Sequence, residues 1–227
     1  MRYLCGELID YSSRENLMRI TVFGATGGTG RQIIEQALAS GYQVVAYARN
    51  PSKLNIRNEL LTIMQGELSD QALIEQSVNG AGAVISTLGP RGGSKGKPLT
   101  EGMRNITAAM KRQGVRRLII SSTLSAKDPN DLPELRARIL VALVKLTMHA
   151  AYEEIVGVAE AVRASDLDWT IARLTLLNDK PGSGKVMAGH LGRGEVGTWI
   201  SRSDLSDFML RQIGDTRYLR QAPAISN

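Results

Sequence analysis

From position 19 onward, short runs of β-branched and aliphatic residues alternate with longer stretches whose apolar positions recur at helical spacing. The short runs predict strands at 20–23, 43–47, 61–64, 83–87, 117–121 and 169–172, and the longer stretches predict helices at 28–40, 70–78, 99–113 and 152–164. Each predicted strand is short and apolar enough to be buried on both sides. The punctuation agrees: Gly41 and Gly114 follow two of the helices, and Pro98 stands at the opening of another. This alternation predicts an α/β fold, with a mainly parallel, doubly wound sheet covered by helices on both faces.

Later in the chain the pattern loosens. Residues 132–148 form an apolar, helical stretch ahead of the sixth strand, and short strands at 185–189, 198–201 and 224–226 surround a helix at 204–212. Between the fourth strand and the helix opened by Pro98 lies a glycine-rich, basic stretch, Arg91-Gly92-Gly93-Ser94-Lys95-Gly96-Lys97. It reads either as a flexible surface loop or as a lid whose cations meet an anionic ligand. No solenoid-period repeat and no low-complexity tract interrupts the alternation.

With 227 residues, one domain over 18–227 is the expectation, preceded by a segment 1–17 that reads as an extension, a tag or the lead-in to an alternative start at Met18. That segment lacks the apolar core of a signal peptide, and no run approaches the length of a membrane span. The net charge of +6 is scattered, without the basic and aromatic interleaving that single-strand binders need, so neither nucleic acid nor a membrane is expected as a partner. Cys5 is the single cysteine, which excludes an internal disulfide and a cysteine-built metal site and fits a reducing, cytoplasmic setting. His149 and His190 have no carboxylate or cysteine at metal-ligand spacing, so both read as surface or satisfied histidines, and no metal is expected.

The first strand runs directly into Gly24-Ala25-Thr26-Gly27-Gly28-Thr29-Gly30, where Gly24, Gly27 and Gly30 have GxxGxxG spacing and a helix begins within the loop. Strand, glycine loop and helix in that order predict a dinucleotide site. The glycines allow a tight turn and close backbone approach, the N–H groups at the helix start receive the diphosphate, and Thr26 and Thr29 add hydroxyls. At the end of the second strand, where an NAD enzyme places a carboxylate for the ribose, this chain has Arg49. A cation there suits a 2′-phosphate, with Lys53 as a second charge, so NADP(H) is the expected cofactor.

These segments, Ile20 to Gly30 together with Tyr47-Ala48-Arg49-Asn50-Pro51, resemble the atypical short-chain dehydrogenases, in the NAD(P)H-binding group that contains biliverdin reductase B, flavin reductases and NmrA-like proteins. Gly66-Glu67-Leu68-Ser69-Asp70, Ser86-Thr87-Leu88-Gly89, Ile120-Ser121-Ser122-Thr123 and Ser165 to Ile171 extend the resemblance over nearly everything after Met18. It implies a Rossmann fold in which Glu67 and Leu68 lie near the adenine, Thr87, Leu88 and Gly89 line the middle of the cofactor, and Ser122 and Thr123 hold the nicotinamide side. The hydroxyls of Ser122 and Thr123 are equally suited to capping the next turn.

Most short-chain dehydrogenases pair a tyrosine with a lysine four residues later, so that the cation activates the phenol. Here Tyr152 is followed by Val156, and Tyr152 reads as a packing residue. A phenol with no cation beside it is a poor proton donor near neutral pH. The expected function is therefore hydride transfer from NADPH to a flat, conjugated acceptor that draws its proton from water: a flavin, a bilin or a quinone. Arg173-Leu174-Thr175 departs from the Arg-Pro of many relatives and lacks the biliverdin reductase B histidine, which argues against biliverdin itself. The alternative is an NmrA-like NADP(H) sensor without turnover. A monomer or weak homo-oligomer is expected.

Overall fold

In the computed structural model, the described residues are 17–90 and 96–227. The proposed N-terminal extension up to position 16, with Cys5, and positions 91–95 of the basic loop lie outside them.

The chain runs β1 (Arg19–Phe23), α1 (Gly28–Ala39), β2 (Gln43–Ala48), β3 (Leu61–Gln65), α2 (Gln71–Val78), β4 (Ala83–Ser86), α3 (Pro98–Arg112) and β5 (Arg117–Thr123). It continues through α4 (Leu135–Thr147), α5 (His149–Arg163), β6 (Asp168–Leu174), β7 (Leu176–Asn178), β8 (Met187–Gly189), β9 (Trp199–Ser201), α6 (Arg202–Arg211) and β10 (Ala224–Ser226). Eight strands form one sheet in the order β3-β2-β1-β4-β5-β6-β10-β8, parallel except for the β10–β8 pair, while β7 and β9 pair separately. This is the doubly wound Rossmann arrangement.

Alternation along the strands sends side chains to two cores. Ile20, Val22, Val44 and Ile119 pack with Ile33 and Ile34 of α1 and Leu205 and Met209 of α6, whereas Phe23, Tyr47, Val84 and Leu118 pack with Ile74 of α2, Met103 and Ile106 of α3 and Val158 of α5. Helix ends follow their local signals. Gly41 and Gly114 take the left-handed conformation, with φ of 81° and 68°, and Asp70 caps α2 by accepting from the Leu73 N–H at 3.0 Å.

One expectation needs correction. β3 is not buried on both sides: Thr62, Ile63 and Gln65 are exposed, because β3 is the edge of the sheet and has β2 as its one neighbour. Residues 132–148 do form a helix, α4, yet of its own residues only Ala137 is buried.

Candidate functional site: the strand ends around the glycine loop

The strand order reverses between β1 and β4, and the crevice at their carboxyl ends is where such sheets bind ligands. Gly24 turns the chain out of β1 with φ +80°, and a Cβ there would lie 2.7 Å from Thr87 Oγ1, so only glycine lets the two strand ends approach this closely. A Cβ on Gly30 would run into the Gly24 carbonyl oxygen. The Gly27 N–H donates to Gly24 O at 3.0 Å, closing the turn.

Helix α1 then starts without a side-chain cap on Gly27 and without an acidic residue in its first turn. Its leading N–H groups, at Gly28, Thr29 and Gly30, thus face the crevice edge with no protein acceptor among the described residues. That is a seat for an anion. A cation joins it: the Arg202 side chain lies against Gly28, where a Cβ would be 3.0 Å from its Cδ and Nε. Arg202 opens α6, which is tied to α1 by Ser206 Oγ donating to Thr29 O at 3.3 Å, and its guanidinium pairs with the exposed Asp179.

The other expected residues fall around the same edge. Arg49 follows the end of β2, Lys53 closes a 3-10 turn Pro51–Lys53, both are exposed, and neither forms an ion pair among the described residues. Glu67 is exposed after β3, and its carbonyl accepts from Tyr47 Oη at 2.8 Å. Burial, aided by the nearby charges of Asp70 and Glu67, pushes the Tyr47 phenol up to about 12, so it stays a hydrogen-bond donor. Leu68 packs on Gly102 of α3, and its carbonyl accepts from Asn105 Nδ2 at 2.8 Å.

Thr87 and Leu88 are half-buried and Gly89 is exposed at the end of β4. The Thr87 hydroxyl is directed back at Gly24 O, 3.3 Å away, and its N–H donates to Phe23 O at 2.9 Å. Ser122 and Thr123 end β5 and differ. Thr123 Oγ1 accepts from the Ser125 N–H at 3.3 Å, a turn-capping role, whereas the nearly buried Ser122 hydroxyl has no partner among the described residues.

The fold supplies two neighbours that spacing along the chain does not show. Tyr152 does have a cation nearby, Lys145 from the end of α4, but its Nζ sits 5.5 Å from the ring centroid, over the face rather than at the hydroxyl. His190 does have a carboxylate neighbour, with Nδ1 3.5 Å from Asp128 Oδ1 and Nε2 3.2 Å from Gln221 Oε1; the chain's turn brings together residues far apart in sequence. No group of residues suited to a metal ion occurs among the described residues.

Behind Ser122 lies a polar network that sequence reading missed. Arg173, paired in register with Ser122 and 0% exposed, makes a two-pronged ion pair with Asp131, at 2.6 and 2.7 Å, and donates to Ala222 O. Burial raises the Asp131 carboxyl, but the Arg173 bonds and the N–H groups of Asp128 and Leu191 outweigh it and hold its pKa below the ordinary value. Asp128 in turn accepts from the Ala222 N–H at 2.6 Å. The segment after β5 is thus tied to β6 and to the approach to β10.

Comparison with known proteins agrees with this geometry. The model of a family described as NAD(P)H-binding matches residues 24–216, and the chain belongs to that family. Its cofactor class is therefore the nicotinamide dinucleotides. The photosystem II assembly factor Ycf39 of Guillardia theta is 32% identical over 120 residues, 51% of this chain and 38% of that protein. The chain spans less than half the length of the first curated relatives it matches. Among solved structures, a short-chain dehydrogenase/reductase of Veillonella parvula in complex with NADP superposes with a TM-score of 0.74 at 21% identity, covering 92% of this chain and 94% of that one. ChuY, an anaerobillin reductase of Escherichia coli O157:H7, gives a TM-score of 0.72 at 20% identity, covering 92% and 97%. At these identities the superpositions establish a shared Rossmann fold. The class is thus an NAD(P)H-binding protein, and a structure described as a reductase is among those that share its fold.

Proposed function

We propose that the protein is an NADPH-dependent reductase that delivers hydride to a flat, conjugated acceptor of the flavin or bilin type. The observation that carries this reading is the state of Tyr152: the Lys145 cation lies over the face of its ring, and Val156 occupies the helical position from which a lysine would activate the phenol. A site without an activated acid suits an acceptor that takes hydride directly and its proton from water.

NADPH supplies the hydride. The N–H groups of Gly28, Thr29 and Gly30 hold the diphosphate, with Gly24 and Gly27 shaping the turn and the Thr26 and Thr29 hydroxyls adding donors. Arg202, which overlies Gly28, adds a positive charge to the same seat. Arg49 and Lys53 receive the 2′-phosphate, which their lack of ion pairs among the described residues favours. Glu67 and Leu68 border the adenine, and Thr87, Leu88 and Gly89 line the middle. The Ser122 hydroxyl orients the nicotinamide side, while Thr123 shapes the turn behind it. Positioning, more than acid–base work, then provides the rate.

Binding without turnover, as in a sensor, is the second reading, favoured by the assembly role in the name of the Ycf39 relative. Anaerobic NADPH oxidation with FMN, riboflavin, a bilin and a quinone separates the two. Steady turnover with at least one flavin or bilin is expected; tight NADPH binding with no oxidation across the panel would establish the sensor instead.

A further inference from the structure

Helix α4 is an apolar helix with an uncovered face. Its residues Leu135, Ile139, Leu143 and Leu146 are 71%, 59%, 53% and 83% exposed. Spaced at i, i+4, i+8 and i+11, they form one stripe along the helix, with Ala142 beside it. The opposite side, with Ala137, Val141 and Val144, is the side turned to the protein. Contiguous exposed apolar surface of this kind marks an interaction site.

Charge indicates what covers it. At 100° per residue, Arg136 projects along one flank of the stripe and Arg138 and Lys145 along the other, and no acidic residue occurs between Leu135 and Ala151. Neither Arg136 nor Arg138 forms an ion pair among the described residues. From the adjoining α5, the facing groups are His149, Tyr152 under Lys145, and Glu153, which is committed to Lys97 at 3.0 Å.

An apolar stripe edged on both sides by long cationic side chains is the form of a helix that lies in a bilayer interface, apolar side chains down and cations at the level of the headgroups. A second copy of the chain fits less well. Antiparallel packing of two α4 stripes about a twofold brings like flanks together and would set Arg138 of one copy against Lys145 of the other, with no carboxylate in either helix to separate them.

We propose that α4 docks the protein on the surface of a bilayer rich in anionic lipid. This revises the expectation of no membrane partner without making the protein a spanning one. Among the described residues no helix is long and apolar enough to cross a membrane.

Co-sedimentation of the full chain with vesicles of phosphatidylglycerol and phosphatidylcholine, and of phosphatidylcholine alone, tests the proposal. Binding to the anionic vesicles is expected, weakening as salt rises, with little binding to the neutral ones. Arg136→Gln, Arg138→Gln and Lys145→Gln together should weaken it by about fivefold per charge, on the order of a hundredfold in all. Ile139→Glu with Leu146→Glu should abolish it, and because both side chains are exposed, retained NADPH binding will show that this variant is folded. No binding to anionic vesicles, equal binding to both kinds, or a wild-type dimer that the glutamate variant converts to monomer would each overturn it.

Discussion

The glycine loop and the segment after β5 face the same crevice, yet they are built differently. At the loop, geometry resides in the backbone: Gly24 at φ +80°, the Gly27 N–H bonded to Gly24 O, and α1 beginning uncapped, all within a few residues. After β5, geometry resides in side chains drawn from distant parts of the chain, with Asp131 and Asp128 holding Arg173, Leu191 and Ala222. The first kind of site tolerates change around it so long as the glycines stay. The second depends on charges that must all be present at once, because a buried guanidinium stripped of its partner is far costlier than the pair is favourable.

Asp131→Asn is therefore expected to have the largest effect. Arg173 would be left buried with one of its anchors neutralised, a loss of about 3–5 kcal/mol that denaturant unfolding can measure. The pH dependence carries its own sign. The Asp131 pKa is held down in the folded state, so its contribution is present above the unfolded carboxylate value, about 4, and is lost as pH falls through the folded value. Wild type should lose stability on that acid limb more steeply than the variant. Equal slopes would mean that the ion pair contributes nothing.

A smaller effect is expected from Gly30→Ala. The added Cβ meets the Gly24 carbonyl and shifts the turn, at a cost of about 1–3 kcal/mol of the overpacking kind. NADPH affinity, read by titration of nicotinamide fluorescence, should fall more than stability does. If stability fell and affinity did not, the loop would be a packing feature alone.

Arg49→Asp should be the mildest in global terms. Stability stays near wild type because Arg49 is exposed, while the ratio of NADPH to NADH affinity drops by about tenfold or more. An unchanged ratio would remove Arg49 from the proposed 2′-phosphate site and leave the side-chain coding of this region to other residues.

How far the sequence reveals these two regions follows from the same contrast. Strand, glycine turn and helix are local, so β1, α1 and the positions of Gly24 to Gly30 were legible, as were Gly41 and Gly114 as helix stops. The exposure of β3 was not, since being at the edge is a property of strand order and not of composition. Arg202 was reachable in part. Ser201 with Asp204 three positions on is a capping pattern, and Ser201 Oγ does accept from the Asp204 N–H at 3.0 Å, which puts Arg202 at the first position of α6. That α6 would then lie on Gly28 required the packed fold. Asp128 with His190, and Asp131 with Arg173, carry no spacing signal at all.

The carboxylates behind β5 have one further consequence. The amides of Leu191 and Ala222 are held by aspartate side chains, at 3.0 and 2.6 Å, instead of by a neighbouring strand. Their hydrogen-exchange rates therefore report the opening of that network separately from the fraying of the sheet, giving two built-in clocks for how often the β5 side of the crevice breathes.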